Sequence, residues 1–130
     1  MRKFMIHGLI VAVISSLVGG FYLHYFYALE LDESYKVLPI WKVISIYIAL
    51  SLFLSLVLMI ASRILKKWGV IVLNTVLTIA SVASIALPIT YINQEIDTTF
   101  IAVAAIPVHF IMPIIWLALQ PLTFSSSHEA

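Results

Sequence analysis

Four uncharged apolar stretches, each long enough to cross a lipid bilayer, constrain this sequence more than any other feature. A helix needs about 20 mainly apolar residues to cross a hydrocarbon layer ~30 Å thick at ~1.5 Å per residue. The stretches cover roughly residues 4–29, 43–62, 70–92 and 100–119, and none contains Asp, Glu, Lys or Arg. Their apolar residues do not alternate as barrel strands require. The sequence therefore predicts an all-α membrane protein with four transmembrane helices.

The composition supports this fold class and excludes several others. The chain has 130 residues, of which 63% are hydrophobic and 10% charged, whereas soluble domains average about 25% charged residues. Seven basic against six acidic residues give no electrostatic footprint for nucleic acid. The absence of cysteine excludes disulfides, iron–sulfur clusters and thiol catalysis. We expect a single integral membrane domain, residues 1–130, with membrane lipid as a partner and no nucleic acid.

The connectors between the spans are short, so neighbouring helices are expected to pair antiparallel in an up-down bundle. Lys and Arg set the orientation, because cytoplasmic loops carry the excess of positive charge. One side holds five of them and the other holds Lys36 and Lys42; the five are Arg2, Lys3, Arg63, Lys66 and Lys67. This distribution predicts that both the N- and C-termini are cytoplasmic. The small loops and the lack of an N-glycosylation sequence favour a bacterial cytoplasmic (inner) membrane.

The first stretch follows Met-Arg-Lys, as the apolar core of a signal peptide would. However, it is long, and no convincing small-x-small cleavage sequence ends it. We therefore interpret it as a membrane span.

Each span carries a stripe of small or polar residues at helical spacing. Membrane helices associate where small side chains let backbones approach and where hydrogen bonds form. We expect the stripes to face the interior of the bundle, although one of them could face a partner protein. The stripes are Gly8, Ala12, Ser15 and Gly19; Ser51, Ser55 and Ser62; Asn74, Thr78, Ser81 and Pro88; and Ala102, Ala105, His109, Pro113, Trp116 and Gln120.

The segment "AIPVHFIMPIIW", residues 105–116, places a histidine between two prolines in an apolar run. His109 lies nine residues into the fourth stretch, roughly 14 Å from its start and close to the midplane. Serines of the other three stretches lie at similar depth. The resulting candidate polar layer or ligand cavity consists of His109, Ser15, Ser16, Ser51, Ser55 and Ser81.

Prolines within the spans predict helix kinks, because proline lacks the N–H that would pair with the carbonyl four residues earlier. The predicted kinks lie at Pro88, Pro107 and Pro113. Freed carbonyls in a membrane must be satisfied by side chains, water or local distortion. We expect hydroxyls of neighbouring helices to bond both the His109 imidazole and these carbonyls. The histidine then either fixes helix register or lines a cavity for a ligand, a quinone head group or a proton.

The sequence shows no catalytic constellation. No carboxylate pair lies in a span, and no HExxH motif, nucleophile elbow or phosphate loop occurs. His7, His24 and His109 are separated by roughly 13 Å or more in depth along straight helices, so they cannot share a metal ion whose ligands lie ~2 Å away. We predict no catalytic, cofactor-binding or metal-ligating residues.

Three classes of function remain after these exclusions. The favoured one is a small non-catalytic membrane protein of the accessory, partner-binding or scaffold type, which binds another membrane protein or forms a homo-oligomer. The alternative is an oligomeric small transporter or channel subunit that uses proline-broken helices. An intramembrane enzyme or quinone-binding subunit centred on His109 is disfavoured, because no second catalytic group accompanies the histidine.

Overall fold

The computed structural model describes residues 2–31, 33–92 and 94–124, and every regular element in these ranges is helical. The elements, in chain order, are α1 (Arg2–Tyr27), α2 (Ser34–Val37), α3 (Ile40–Leu65), α4 (Lys67–Ser84), α5 (Ala86–Thr90) and α6 (Ile101–Phe124). Four helical segments are long and apolar enough to cross a membrane: Arg2–Tyr27, Ile40–Leu65, Trp68–Thr90 and Ile101–Leu122. They correspond to the four predicted spans, so the prediction of four long apolar helices is confirmed.

The third of these segments is interrupted. Helix α4 ends at Ser84 and α5 begins at Ala86, so the break falls at Ile85, three residues before Pro88. Pro88 has no N–H to pair with the Ser84 carbonyl, and the helical ladder loses a bond at this point. The Ile85 N–H bonds the Val82 carbonyl at 3.3 Å, which is the tighter three-residue spacing that helix ends adopt.

Helices α1 and α3 pack closely because two glycines of α1 face α3. A Cβ atom added to Gly8 would lie 2.8 Å from the Ser55 Cβ and 2.9 Å from the Ser51 carbonyl oxygen. A Cβ added to Gly19 would lie 2.5 Å from the Tyr47 ring. The glycines therefore let the two backbones approach, as membrane helices do at small residues.

The stripe predicted on the first span is buried in full, at Gly8, Ala12, Ser15 and Gly19. The stripe on the third span is not, because Thr78 is exposed and its hydroxyl bonds the Asn74 carbonyl of its own helix at 2.8 Å. Helix α4 packs mainly against α3 and α6, so most of its remaining surface is exposed.

Helix α6 packs against α1 with its largest side chain. The Trp116 side chain is fully buried, and the His7 ring meets it edge-on with ring centroids 4.7 Å apart. Further along, the Tyr22 hydroxyl donates to the Val103 carbonyl at 2.6 Å. That carbonyl is the one whose helical partner Pro107 removes. A neighbouring hydroxyl therefore satisfies this freed carbonyl, as expected.

The connectors after α1 and α5 are joined to each other. The Glu33 N–H donates to the Asp97 carbonyl at 3.0 Å. The Asp97 carboxylate accepts the Thr99 hydroxyl at 2.7 Å and the Thr99 N–H at 3.1 Å, and these bonds lower the pKa of that carboxyl. At the same end of the molecule, the Tyr27 hydroxyl donates to the Leu38 carbonyl at 2.5 Å. The ends of α1, α3 and α6 are thus held together outside the apolar segments.

Candidate functional site

A pocket of about 450 Å³ lies between α3, α4 and α6, and we refer to it as the α4 pocket. Its wall is mainly aliphatic, with four polar side chains. The polar ones are Tyr47, Ser81, Ser84 and His109. The apolar ones are Leu38, Val43, Ile46, Leu50, Leu54, Leu73, Val76, Leu77, Ala80, Val108, Met112 and Pro113. No residue of the wall carries a formal charge.

His109 is half-buried and bonds its own helix. Its Nδ1 atom lies 2.7 Å from the Ala105 carbonyl oxygen. A carbonyl can only accept, so Nδ1 must carry the proton, and in the neutral ring Nε2 is then an acceptor. The prediction that hydroxyls of neighbouring helices bond this imidazole is wrong for Nδ1, because the preceding helical turn supplies the partner.

His109 also lines a second, smaller pocket of about 170 Å³. This pocket lies between the start of α6, the residues before α3, and α5, and Pro88 and Tyr91 form part of its wall. His109 and Leu38 border both pockets, so the two cavities are neighbours.

The six residues of the predicted polar layer divide between two places. His109 and Ser81 line the α4 pocket, whereas Ser51 and Ser55 lie on the side of α3 that faces Gly8. Ser15 is fully buried on α1 and Ser16 is half-buried. The hydroxyls of the four serines on α1 and α3 are buried and have no hydrogen-bond partner among the described residues. Whether the six act as one layer stays a prediction.

The prolines border the cavities. Pro113 lines the α4 pocket, Pro88 lines the smaller one, and Pro107 is half-buried on α6. Helix α6 continues through Pro107, Pro113 and Pro121 from Ile101 to Phe124. Whether Pro107 and Pro113 kink this helix stays a prediction.

A second polar cluster joins α4 to α6; its residues belong to the stripes expected inside the bundle, but their pairing was not predicted. The side-chain amides of Asn74 and Gln120 exchange two hydrogen bonds, each of 2.8 Å. The Trp116 indole N–H also donates to the Asn74 side-chain oxygen, at 3.3 Å. The sequence did carry the signal, because Asn74 lies early in the third stretch and Gln120 late in the fourth. Antiparallel neighbours bring such positions together.

The remaining polar side chains do not form a metal centre. Among residues 2–31, 33–92 and 94–124, no three His, Asp or Glu side chains are placed to hold an ion. In the connector between α1 and α3, Lys36 and Glu33 form an exposed ion pair at 2.5 Å, and this bond raises the pKa of the Lys36 ammonium. An exposed pair of this kind contributes little to stability.

Comparison of the chain with protein-family models, with curated proteins and with solved structures gives no match.

Proposed function

We propose that the chain is a small non-catalytic integral membrane protein of the accessory, partner-binding or scaffold type. It spans the bilayer four times as an antiparallel up-down bundle, with both termini in the cytoplasm of a bacterial cell. The four apolar segments support the spanning arrangement. The excess of Lys and Arg before the first span and between the second and third supports the orientation.

Pairs of contacting residues support the antiparallel order of the helices. Early residues of one helix meet late residues of the next: Gly8 lies against Ser55, and Asn74 bonds Gln120. In the same way, His7 meets Trp116. In an up-down bundle each of these helix pairs runs in opposite directions.

The observation that carries the proposal is the low burial of the third span. In an apolar 18-residue window of the segment Trp68–Thr90, 17% of the residues are buried, against 33–39% in the corresponding windows of the other three spans. The chain therefore covers this window less than that of any other span.

The outward faces of two spans differ in a way that favours a protein partner at α4. On α1, the outward positions at four-residue spacing are all bulky: Leu9, Val13, Leu17 and Phe21. On α4, the exposed series at the same spacing is Ile71, Thr75, Ile79 and Ala83, so two of its four side chains are small. The Thr75 hydroxyl is already bonded to its own helix. Small residues allow another backbone to approach closely, whereas bulky ones suit acyl chains. The proposed occupant of this α4 face is a transmembrane helix of a different protein.

A cross-linking experiment tests this proposal. Because the sequence contains no cysteine, each introduced cysteine is the single thiol available for labelling. Ala83→Cys and, as the matched control on α1, Val13→Cys are each coupled to a photoactivatable maleimide in the cell's own membranes. We expect Ala83→Cys to give one discrete adduct with another membrane protein and Val13→Cys to give lipid adducts only. The adduct should reappear with the purified partner.

A bulky substitution on the exposed face of α4 provides the specificity control. Ile79→Trp should abolish the adduct, because it enlarges the proposed contact face, and Leu17→Trp on α1 should leave it unchanged. Lipid adducts alone at both positions, or an adduct insensitive to Ile79→Trp, would contradict the partner-binding role.

The alternative function is an oligomeric small transporter or channel subunit. The interruption at Ile85 and the adjacent cavities favour it, because transporter sites are often built from broken helices. In the same experiment, an adduct between two copies of the chain at Ala83→Cys would show a homo-oligomer, and not a different protein, at this face of α4, as the alternative requires.

A further inference from the structure

The three hydroxyl groups of the α4 pocket donate hydrogen bonds to backbone carbonyls. The Tyr47 hydroxyl donates to Val108 at 2.6 Å. The Ser81 and Ser84 hydroxyls donate to the carbonyls of Leu77 and Ser81, at 2.7 and 2.8 Å. Because a hydroxyl has one proton, none of these three groups has a donor left for a ligand.

His109 completes this pattern. Its Nδ1–H is bonded to the Ala105 carbonyl, so the neutral ring offers an acceptor at Nε2 and no donor. The hydroxyl oxygens likewise retain lone pairs. The pocket wall can therefore accept hydrogen bonds but cannot donate them, and it holds no Lys, Arg, Asp or Glu to attract an ion.

The size and the opening of the pocket indicate a small lipid-soluble occupant. Its volume of about 450 Å³ lies within the roughly 300–1,000 Å³ of ordinary ligand pockets. Exposed residues of α3 and α4 border it, namely Ile46, Leu50 and Val76. These side chains face the acyl chains in a spanning orientation, so an occupant enters from the bilayer.

We propose that the α4 pocket binds a neutral lipid-soluble alcohol, with its hydroxyl donating to Nε2 of His109 and its apolar body against the aliphatic wall. The chemistry of the wall selects this class. A ketone or quinone carbonyl would meet only acceptors, and a carboxylate or ammonium would find no counter-charge. The inference does not depend on a partner protein at the outer face of α4.

The test compares two photoactivatable probes that differ at one group. One is a long-chain alcohol with a diazirine in its chain, and the other is its methyl ether, which cannot donate. The full chain is reconstituted in phosphatidylcholine vesicles, irradiated with each probe and mapped by peptide mass spectrometry. One hydrogen bond predicts roughly 3- to 10-fold more labelling of the pocket by the alcohol.

Two variants identify the group and the place. His109→Phe keeps a ring of similar size, and it should reduce labelling by the alcohol to the level of the ether. Ala80→Trp fills the border of the pocket and should reduce labelling by both probes. The control is Ala49→Trp, because Ala49 is exposed on α3 and does not line the pocket.

Since Ala80 is exposed, its replacement leaves a folded protein in which the pocket can be tested even if His109→Phe fails to assemble. Equal labelling by the two probes, labels mapped outside the pocket, or an alcohol preference that survives His109→Phe would each overturn the proposal.

Discussion

The two sides of helix α3 show different ways of packing. On one side, Gly8 and Gly19 of α1 let the helices approach until a single added carbon would clash. On the other side, α3 and α4 approach closely at Gly69, where an added Cβ would lie 2.5 Å from the Ala61 carbonyl oxygen. Farther from this turn, a pocket of about 450 Å³ lies between α3, α4 and α6. Helix α4 is joined to α6 by the Asn74–Gln120 amide pair.

The difference between the two sides of α3 shows which interactions bring helices together in lipid. Acyl chains are as apolar as leucine, so burying aliphatic surface gives no drive of the kind that operates in water. Close approach of backbones supplies dispersion contacts on the α1 side. Hydrogen bonds between amides join α4 to α6, and a pocket remains between these helices and α3.

The largest effect is expected from Gly8→Ala, which would disrupt the close contact between α1 and α3. The new methyl group would overlap Ser55 and lie 2.9 Å from the Ser51 backbone oxygen, which cannot move aside alone. Overpacking costs ~1–3 kcal/mol, and we expect the upper part of that range in the free energy of unfolding. Titration with SDS in mixed micelles, followed by circular dichroism, would measure it.

Gly20→Ala is the matched control on the same helix. A Cβ there would meet Ile44 and Ile40 at 3.7 and 3.8 Å, which is ordinary contact. Its stability should equal that of the native chain or exceed it slightly, since alanine favours a helix by ~1 kcal/mol over glycine. Equal losses at both positions would contradict the assignment of the Gly8 effect to the close α1–α3 contact, and equal gains would mean that helix propensity governs stability.

An intermediate effect is expected from the amide pair on the open side. Asn74→Leu leaves the Gln120 and Trp116 donors without their acceptor, and Gln120→Leu does the same to Asn74. Interhelical hydrogen bonds in membranes contribute ~0.6 kcal/mol on average and up to ~1.7 kcal/mol. We expect a coupling energy within this range from a double-mutant cycle by the same unfolding measurement. Strictly additive losses would show that the pair does not hold α4 to α6.

The smallest effect is expected from Ala80→Leu, which adds three carbons where the pocket has room. Ala80 is exposed at the border of the pocket, so the larger side chain meets lipid and empty volume. The change in the free energy of unfolding should be below ~0.5 kcal/mol. One added carbon at Gly8 would then lower the free energy of unfolding more than three added carbons at Ala80. A loss similar to that of Gly8→Ala would mean that α3 and α4 are as close as α1 and α3.

Several features of the fold were accessible from the sequence, and particular residues show why. Uncharged apolar runs without strand-like alternation predict the four long helices, since only helices and closed barrels satisfy the backbone in lipid. Glycine spacing on α1 predicts its buried stripe, because Gly8, Ala12, Ser15 and Gly19 repeat with the helical period. Thr78 was placed inside by the same reasoning and is exposed. A hydroxyl that bonds its own helix carries no preference for the interior.

The candidate site was accessible only in part. The exceptional position of His109 between prolines could be read from the chain, but the partner of its Nδ1 could not. Local carbonyls and distant hydroxyls compete for an imidazole, and helix geometry decides in favour of Ala105. The Asn74–Gln120 pair required knowing the register of two helices that are far apart in the chain.

The sequence alone was enough to predict that this chain forms long apolar helices and that small residues on α1 allow another helix to approach closely. Both follow from local patterns, namely uncharged length and small residues at helical spacing. The tertiary structure was needed to show which hydroxyls donate hydrogen bonds to carbonyls, where the pocket lies between α3, α4 and α6, and that its polar side chains act as acceptors. Those properties depend on which helices meet and at what distance, and no local pattern encodes a distance between segments remote in the chain.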